Sequence, residues 1–213
     1  MMKLGIIGAS GKLGQLITKE AIDRGHEVTA IVRNKAKVTN DNIAVIEKDI
    51  FDLTQNDFKD FDVVVNAFGA PLGEEQIHVD AGNVLIEAAK GIDTRLIVVG
   101  GAGSLFVDEA KTTRLLETPE FPEVFKPTAV GSLRNLEILE KTTGLTWTFL
   151  SPAADFDYEG KRTGTYQLGK DNVIVNAKGD SYISYADYAI ALVDEAEYGR
   201  FINTRFTVVG EAE

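Results

Sequence analysis

Gly8, Gly11 and Gly14 stand three apart in the run Lys3-Leu4-Gly5-Ile6-Ile7-Gly8-Ala9-Ser10-Gly11-Lys12-Leu13-Gly14. Residues without side chains at that spacing suit the holding of a phosphate against main chain. The first glycine lets the chain turn as it leaves an apolar strand, the second leaves room for a diphosphate, and the third lets a helix pack on a sheet. N–H groups of the first helical turn, around Ser10, Lys12 and Leu13, then face the anion, whose charge the helix dipole favours. A glycine triplet is a weak signal by itself. Here an apolar run precedes it and a helical pattern (Leu13, Leu16, Ile17, Ala21) follows, which is the context a dinucleotide-binding turn requires.

The next residues with chemical meaning are cations. His26–Val32 reads as a β-branched strand ending at Arg33-Asn34. In a dinucleotide-binding fold the adenosine ribose lies at this end. An acidic residue there binds the 2′-hydroxyl of NAD, whereas a cation accommodates the 2′-phosphate of NADP. Arg33 therefore points to NADP, with NAD as the alternative, Asn34 beside it at the ribose, and Lys35 or Lys37 as second cations. The other reading of Arg33 is a solvated side chain after a strand.

Composition bounds what surrounds these residues. The 213 residues suffice for one well-buried domain, 1–213, and are few for two. A formal net charge of -11, without a run of Lys and Arg, argues against a nucleic-acid partner. No apolar run approaches the roughly 20 residues that span a bilayer, so no membrane partner is expected. Met1-Met2-Lys3 enters a strand directly, and the chain has no cysteine, which excludes thiolate catalysis and cysteine metal sites and fits a reducing cytoplasm. No metal site is expected. Oligomeric state, monomer or homodimer, is left open.

The elements that must position the chemistry alternate strand and helix along the chain. Ile43–Ile50 reads as a third strand and Phe61–Ala70 as a fourth, near-continuously apolar as befits a parallel strand covered on both faces. A helix over about 75–90 carries His78, read as a partly exposed helix residue. Thr94–Val99 is a fifth strand ending in Gly100-Gly101-Ala102-Gly103-Ser104, at the sheet edge where open α/β folds place their sites. The proline-rich stretch 118–127 reads as an ordered flap, and a helix follows over about 129–143, ended by Gly144. Leu145–Ser151 is a sixth strand, short strands follow as a small C-terminal substrate cover, Ser184 starts a helix to about Glu197, and Arg205–Val209 closes the sheet. The expected fold is α/β, a doubly wound parallel sheet of the Rossmann NAD(P)-binding kind.

The G-x-x-G-x-x-G spacing resembles that of the extended and atypical short-chain dehydrogenase/reductases. With Val65-Asn66-Ala67-Phe68-Gly69-Ala70-Pro71, Val98–Leu105 and Trp147–Pro152, the whole chain is similar to their NADH-flavin reductase branch and to biliverdin-IXβ reductase-like and NmrA-like proteins. That resemblance implies that Asp49 and Ile50 flank the adenine, though Asp49 equally reads as a helix cap. It sets Ala67, Phe68 and Gly69 along the cofactor's sugar and diphosphate, with Phe68 departing from the family's N-A-G. Pro152 and Ala153 would lie along the nicotinamide. Ser104 matches the family's substrate-orienting hydroxyl, the other reading being a turn residue.

The family's Tyr-x-x-x-Lys is absent from the start of the helix after the flap, where Phe125-Lys126 stand instead. Lys126 is left as a contact to the nicotinamide ribose or an anionic substrate, or as a surface lysine. A tyrosine-based alcohol/ketone mechanism is not expected. An acceptor that delocalises charge, such as a flavin, needs little acid from the protein. The resemblance thus implies an NAD(P)H-dependent reductase acting on a flavin or another small conjugated acceptor. Its alternative is a non-catalytic NADP(H)-binding redox sensor of the NmrA type.

Overall fold

In the computed structural model, which describes residues 1–40 and 42–212, the apolar run before the glycine turn forms β1 (Lys3–Ile7) and the pattern after it forms α1 (Lys12–Asp23). The β-branched run forms β2 (Glu27–Val32). β3 (Ala44–Glu47) and β4 (Val63–Asn66) are shorter than the apolar stretches that announce them, with a single helical turn α2 (Gln55–Phe58) between them. Then follow α3 (Glu75–Ala89), β5 (Arg95–Val99), α4 (Lys126–Lys141) and β6 (Thr146–Ser151). The C-terminal part adds β7 (Asp155–Asp157), β8 (Gln167–Gly169), β9 (Tyr182–Ser184), α5 (Tyr185–Tyr198) and β10 (Thr204–Val209).

The main sheet runs β3-β2-β1-β4-β5-β6-β10-β8, so the winding reverses between β1 and β4. Its strands are parallel except β8, which pairs antiparallel with β10 at the edge. β10 is the last strand of the chain as expected but does not close the sheet: β8, whose three residues are too few for periodicity to announce them, pairs beyond it at the edge. α4 also departs from expectation. It starts at Lys126, with Pro127 in its first turn where a missing N–H costs nothing, and it ends at Lys141, ahead of Gly144.

Side chains alternate across the strands into two cores. Leu4 and Ile6 of β1 pack with Ile17 and Ala21 of α1 and with Tyr188 and Leu192 of α5 on one face. Ile7, Ile31 and Val64 pack with Leu85 of α3 and Leu136 and Leu139 of α4 on the other. Burial on both faces is what a parallel sheet requires, since each strand there has no solvated side. β7 and β9 form a separate two-stranded parallel pair that covers the carboxyl edge of the sheet near β6.

One polar strut crosses the first core. The Arg95 side chain, only 8% exposed, meets the carboxylate of Glu195, 2% exposed, and Arg95 Nη1 donates to the Glu195 carbonyl at 2.9 Å. The same carboxylate accepts the N–H groups of Arg200 (3.1 Å) and Phe201 (2.9 Å), so it closes the C-terminus of α5 as well as holding β5 to it. Removing one partner of a buried pair leaves the other charge uncompensated. Glu195→Ala is therefore expected to lower stability by about 3–5 kcal/mol in urea unfolding, with Glu195→Gln, which keeps an acceptor, losing less.

Candidate functional site

The chain leaves β1, β2, β4, β5 and β6 at one edge of the sheet, and the side chains with chemical potential collect there in two clefts. The first, of about 440 Å³, lies over the exits of β1, β2 and β4. Its floor is the glycine turn. Gly8 has φ +77°, a left-handed conformation that L side chains rarely adopt, and a β-carbon on it would stand 2.6 Å from the Ala67 carbonyl oxygen. A β-carbon on Gly14 would stand 2.2 Å from the Gly8 carbonyl oxygen, so α1 rests on the turn with no atom to spare. Gly11 is the N-cap of α1, with no side-chain cap and no acidic residue in the first turn. The helix thus presents N–H groups that nothing in its own first turn neutralises, which fits a phosphate and nothing bulkier than main chain around it.

Ser10, Gly11, Arg33, Asn34, Ile50, Ala67, Phe68 and Gly69 all line this cleft, as the sequence reading placed them. Lys37 and Lys48 line it too. Lys48 pairs with Asp57 at 2.7 Å and Lys35 with Glu47 at 4.0 Å, whereas Arg33 is exposed and enters no ion pair among the described residues. Lys48 was missed because a lysine after an edge strand carries no signal of the direction in which it folds back. Phe68 N–H donates to Asn66 Oδ1 at 3.1 Å, so the residue that interrupts the N-A-G pattern is accommodated by an Asn turn that leaves Ala67 and Gly69 at the cleft.

Five residues fall elsewhere. Asp49 caps the 3₁₀ turn Ile50–Asp52 by accepting from Phe51 N–H at 3.0 Å, which leaves Ile50 alone at the cleft. Lys12 points away from the glycine turn: its ammonium lies over the Tyr158 ring, 3.3 Å from the centroid, in a groove on the other side of α1. Leu13 packs against the core, and with Lys12 it offers the first cleft main chain only. Ser104 does not reach either cleft. Its Oγ donates to the Gly101 carbonyl (3.2 Å) and accepts from Arg205 Nη1 (3.2 Å), 1% of the residue is exposed, and it anchors the turn after β5 to β10. Lys126 is held by Glu123 one turn of chain before it and lies outside both linings.

The second cleft, about 740 Å³, lies over the exits of β5 and β6. Its floor is Val99 to Gly103 with Pro152 and Ala153, the latter two where the sequence reading set them. The flap supplies Thr118, Glu120, Phe121, Pro122 and Phe125, α4 supplies Ser132, and the C-terminal cover supplies Phe156, Tyr158 and Tyr185. His78 of α3 also lines it, with Nδ1 buried and unpartnered and burial holding its pKa below the usual histidine value. Burial raises the Tyr185 pKa, so its hydroxyl stays protonated. Tyr158 and Tyr185 lie far along the chain from the place where the short-chain pattern has its tyrosine, and no local spacing marks them.

A family model described as NAD(P)H-binding matches residues 8–197. This chain belongs to that NAD(P)H-binding family. Within it, the chain is 66% identical over 213 residues to the uncharacterized protein YwnB of Bacillus subtilis (strain 168), covering all of both chains. It superposes with TM-score 0.94, at 47% identity and over 99% of this chain and 100% of the other, on a Streptococcus pneumoniae TIGR4 protein described as "a putative NADH-flavin reductase". A "putative epimerase" from Bacteroides thetaiotaomicron is 37% identical, with TM-score 0.86 over 100% of this chain and 98% of that one. In dinucleotide-binding folds a glycine turn at a helix N-terminus is where a diphosphate rests.

Since Ser104 serves the turn rather than the cleft, Ser104→Ala is expected to cost about 1 kcal/mol in thermal unfolding while the dissociation constant for NADPH stays unchanged.

Proposed function

We propose that this protein is an NAD(P)H-dependent reductase that prefers NADPH and reduces a flavin or a similar conjugated acceptor. The observation that carries the reading is the pairing, on one sheet edge, of a cation-flanked phosphate cradle free of side chains with an aromatic-lined cleft large enough for a ring system. When bound, the nicotinamide supplies the hydride equivalent. Everything else falls to the chain. Main-chain N–H groups between Ser10 and Leu13 hold the diphosphate. Arg33, in no ion pair among the described residues and with Lys37 in the same lining, binds the 2′-phosphate. Ile50 packs under the adenine, and Pro152 and Ala153 hold the nicotinamide end at the entrance to the second cleft.

In that cleft Phe121, Phe125, Phe156, Tyr158 and Tyr185 offer flat surfaces on which a conjugated ring stacks. Lys12 lies over the Tyr158 ring from outside the cleft, and the Tyr-x-x-x-Lys arrangement with which the short-chain pattern protonates a carbonyl is absent from the start of α4. A flavin-type ring spreads the added electron pair and takes its proton from water, and the protein's task reduces to position. The volume of the second cleft favours a reductase over a pure NADP(H) sensor, since a sensor has no use for space beyond the nicotinamide.

The expected outcome is that adding riboflavin to protein and NADPH consumes NADPH, followed by loss of nicotinamide absorbance. A protein that binds both nucleotides without turnover would instead be the sensor. Arg33→Glu is expected to weaken NADPH binding about 10- to 100-fold relative to NADH, hydrogen bonds to charged groups contributing about 1.5–3 kcal/mol. Unchanged relative affinities in calorimetric titration would remove Arg33 from the 2′-phosphate.

A further inference from the structure

The two clefts have opposite electrostatic characters, and that difference reaches past the cofactor to the acceptor. Arg33, Lys37 and Lys48 line the first cleft. Among the residues lining the second there is no lysine or arginine, while Glu120 and Asp155 both do line it. Lys126 is held by Glu123, and Lys12 meets this cleft only through the ring of Tyr158, lying itself in the groove on the other side of α1. An anionic group held among these residues would meet carboxylates and no lining counter-charge, which is unfavourable.

The polar groups that the second cleft does hold are neutral and wanting partners. Ser132, on α4, is 4% exposed, and its Oγ has no hydrogen-bond partner. His78 Nδ1, from α3, is likewise buried and unpartnered, and both residues belong to the same wall. Buried polar atoms are nearly always satisfied, so two orphans on one cleft wall mark where something else supplies the partner. A hydroxyl and a neutral imidazole suit ring carbonyl and ring N–H groups.

Resting on the reductase reading, we propose that the second cleft selects an uncharged planar acceptor, hydrogen-bonded along one edge by Ser132 and His78, and discriminates against acceptors carrying a phosphate or carboxylate. An isoalloxazine without its phosphate and an unsubstituted quinone are of this class. The net reaction consumes one NAD(P)H and one proton from water and yields NAD(P)+ and the two-electron-reduced acceptor.

Riboflavin and FMN share one ring and differ by a terminal phosphate, which makes them the test pair. Two readouts are used: kcat/KM for NADPH oxidation, and binding by quenching of flavin fluorescence in the presence of NADP+, which needs no turnover. Riboflavin is expected to exceed FMN at least tenfold in both. Asp155→Asn is expected to narrow the gap by improving FMN alone. Ser132→Ala and His78→Leu are expected to raise KM for riboflavin several-fold with NADPH affinity unchanged, and His78→Asn, which keeps a polar atom at the δ position, to restore most of it. FMN equal to or better than riboflavin in binding, or failure of the ring to bind at all, overturns the proposal. Selective riboflavin binding without turnover would leave the selectivity standing and sink the reductase reading instead.

Discussion

The structure depends on a contact that no side chain could survive. Where β1, α1 and β4 meet, the Gly8 carbonyl lies against the main chain of α1 at Gly14, and Gly8 itself lies against the Ala67 carbonyl. Helix and strand exits are thereby locked at main-chain distance, which fixes where α1 begins relative to the sheet edge. Gly11 as N-cap forgoes a side-chain hydrogen bond, at a cost of only a few tenths of a kcal/mol against the preferred capping residues. In exchange the first N–H groups of α1 stay available at the edge where the winding reverses. A serine or aspartate at the cap would have satisfied them internally and blocked an anion.

The second cleft is built from parts that arrive late in the chain and must be tied back to this frame. α5 does the tying. Its N-cap Ser184 accepts from Asp187 N–H at 3.0 Å, and the Asp187 carboxylate accepts the N–H groups of Thr163 and Gly164, so the loop ahead of β8 is fastened to the helix start. Tyr188 donates to the Leu150 carbonyl at 2.7 Å, and Glu195 meets Arg95 at the other end. Phe156 packs tilted between Tyr185 and Tyr188 with centroids 4.1 and 4.7 Å away. The aromatic cover is thus seated on a helix that is itself pinned to β5 and β6, and the cleft exists before any ligand enters it.

Much of this was readable in the residues, and what was not has a common cause. The glycine turn, the strands on either side of it and the strand-end place of Arg33 are marked by local pattern, because a close main-chain approach or a strand end constrains residue type within a few positions, whereas Ala67–Gly69 and Pro152-Ala153 were reached through the family resemblance. Ser104 was read toward the cleft because its place after β5 suggested it. Its side chain instead turns toward Arg205, a residue 101 positions away that no local spacing connects to it. Lys12 was drawn off by Tyr158 in the same manner. His78 was read as a partly exposed helix residue, and Ser132 and the rings of the cover were not singled out, since each joins the second cleft only through the packing of α3, α4 and the β7–β9 pair. Three-residue strands such as β8 are too short for alternation to show.

The overall charge sharpens the meaning of both clefts. A chain of net charge -11 repels anions at long range, so a dinucleotide gains nothing from the general field and must be captured by local cations and N–H groups. That is where Arg33, Lys37 and Lys48 are concentrated, around a turn with no acid in its helical first turn. Screening at physiological salt shortens the reach of the remaining carboxylates to about 8 Å, so that only the charges lining each cleft decide what it accepts. The same acidic chain can therefore hold a polyanionic cofactor at one end of its sheet edge while keeping an environment hostile to anions at the other. The boundary between the two is the stretch of edge between Gly69 and Gly100, where the lining changes from cations to aromatic rings and carboxylates.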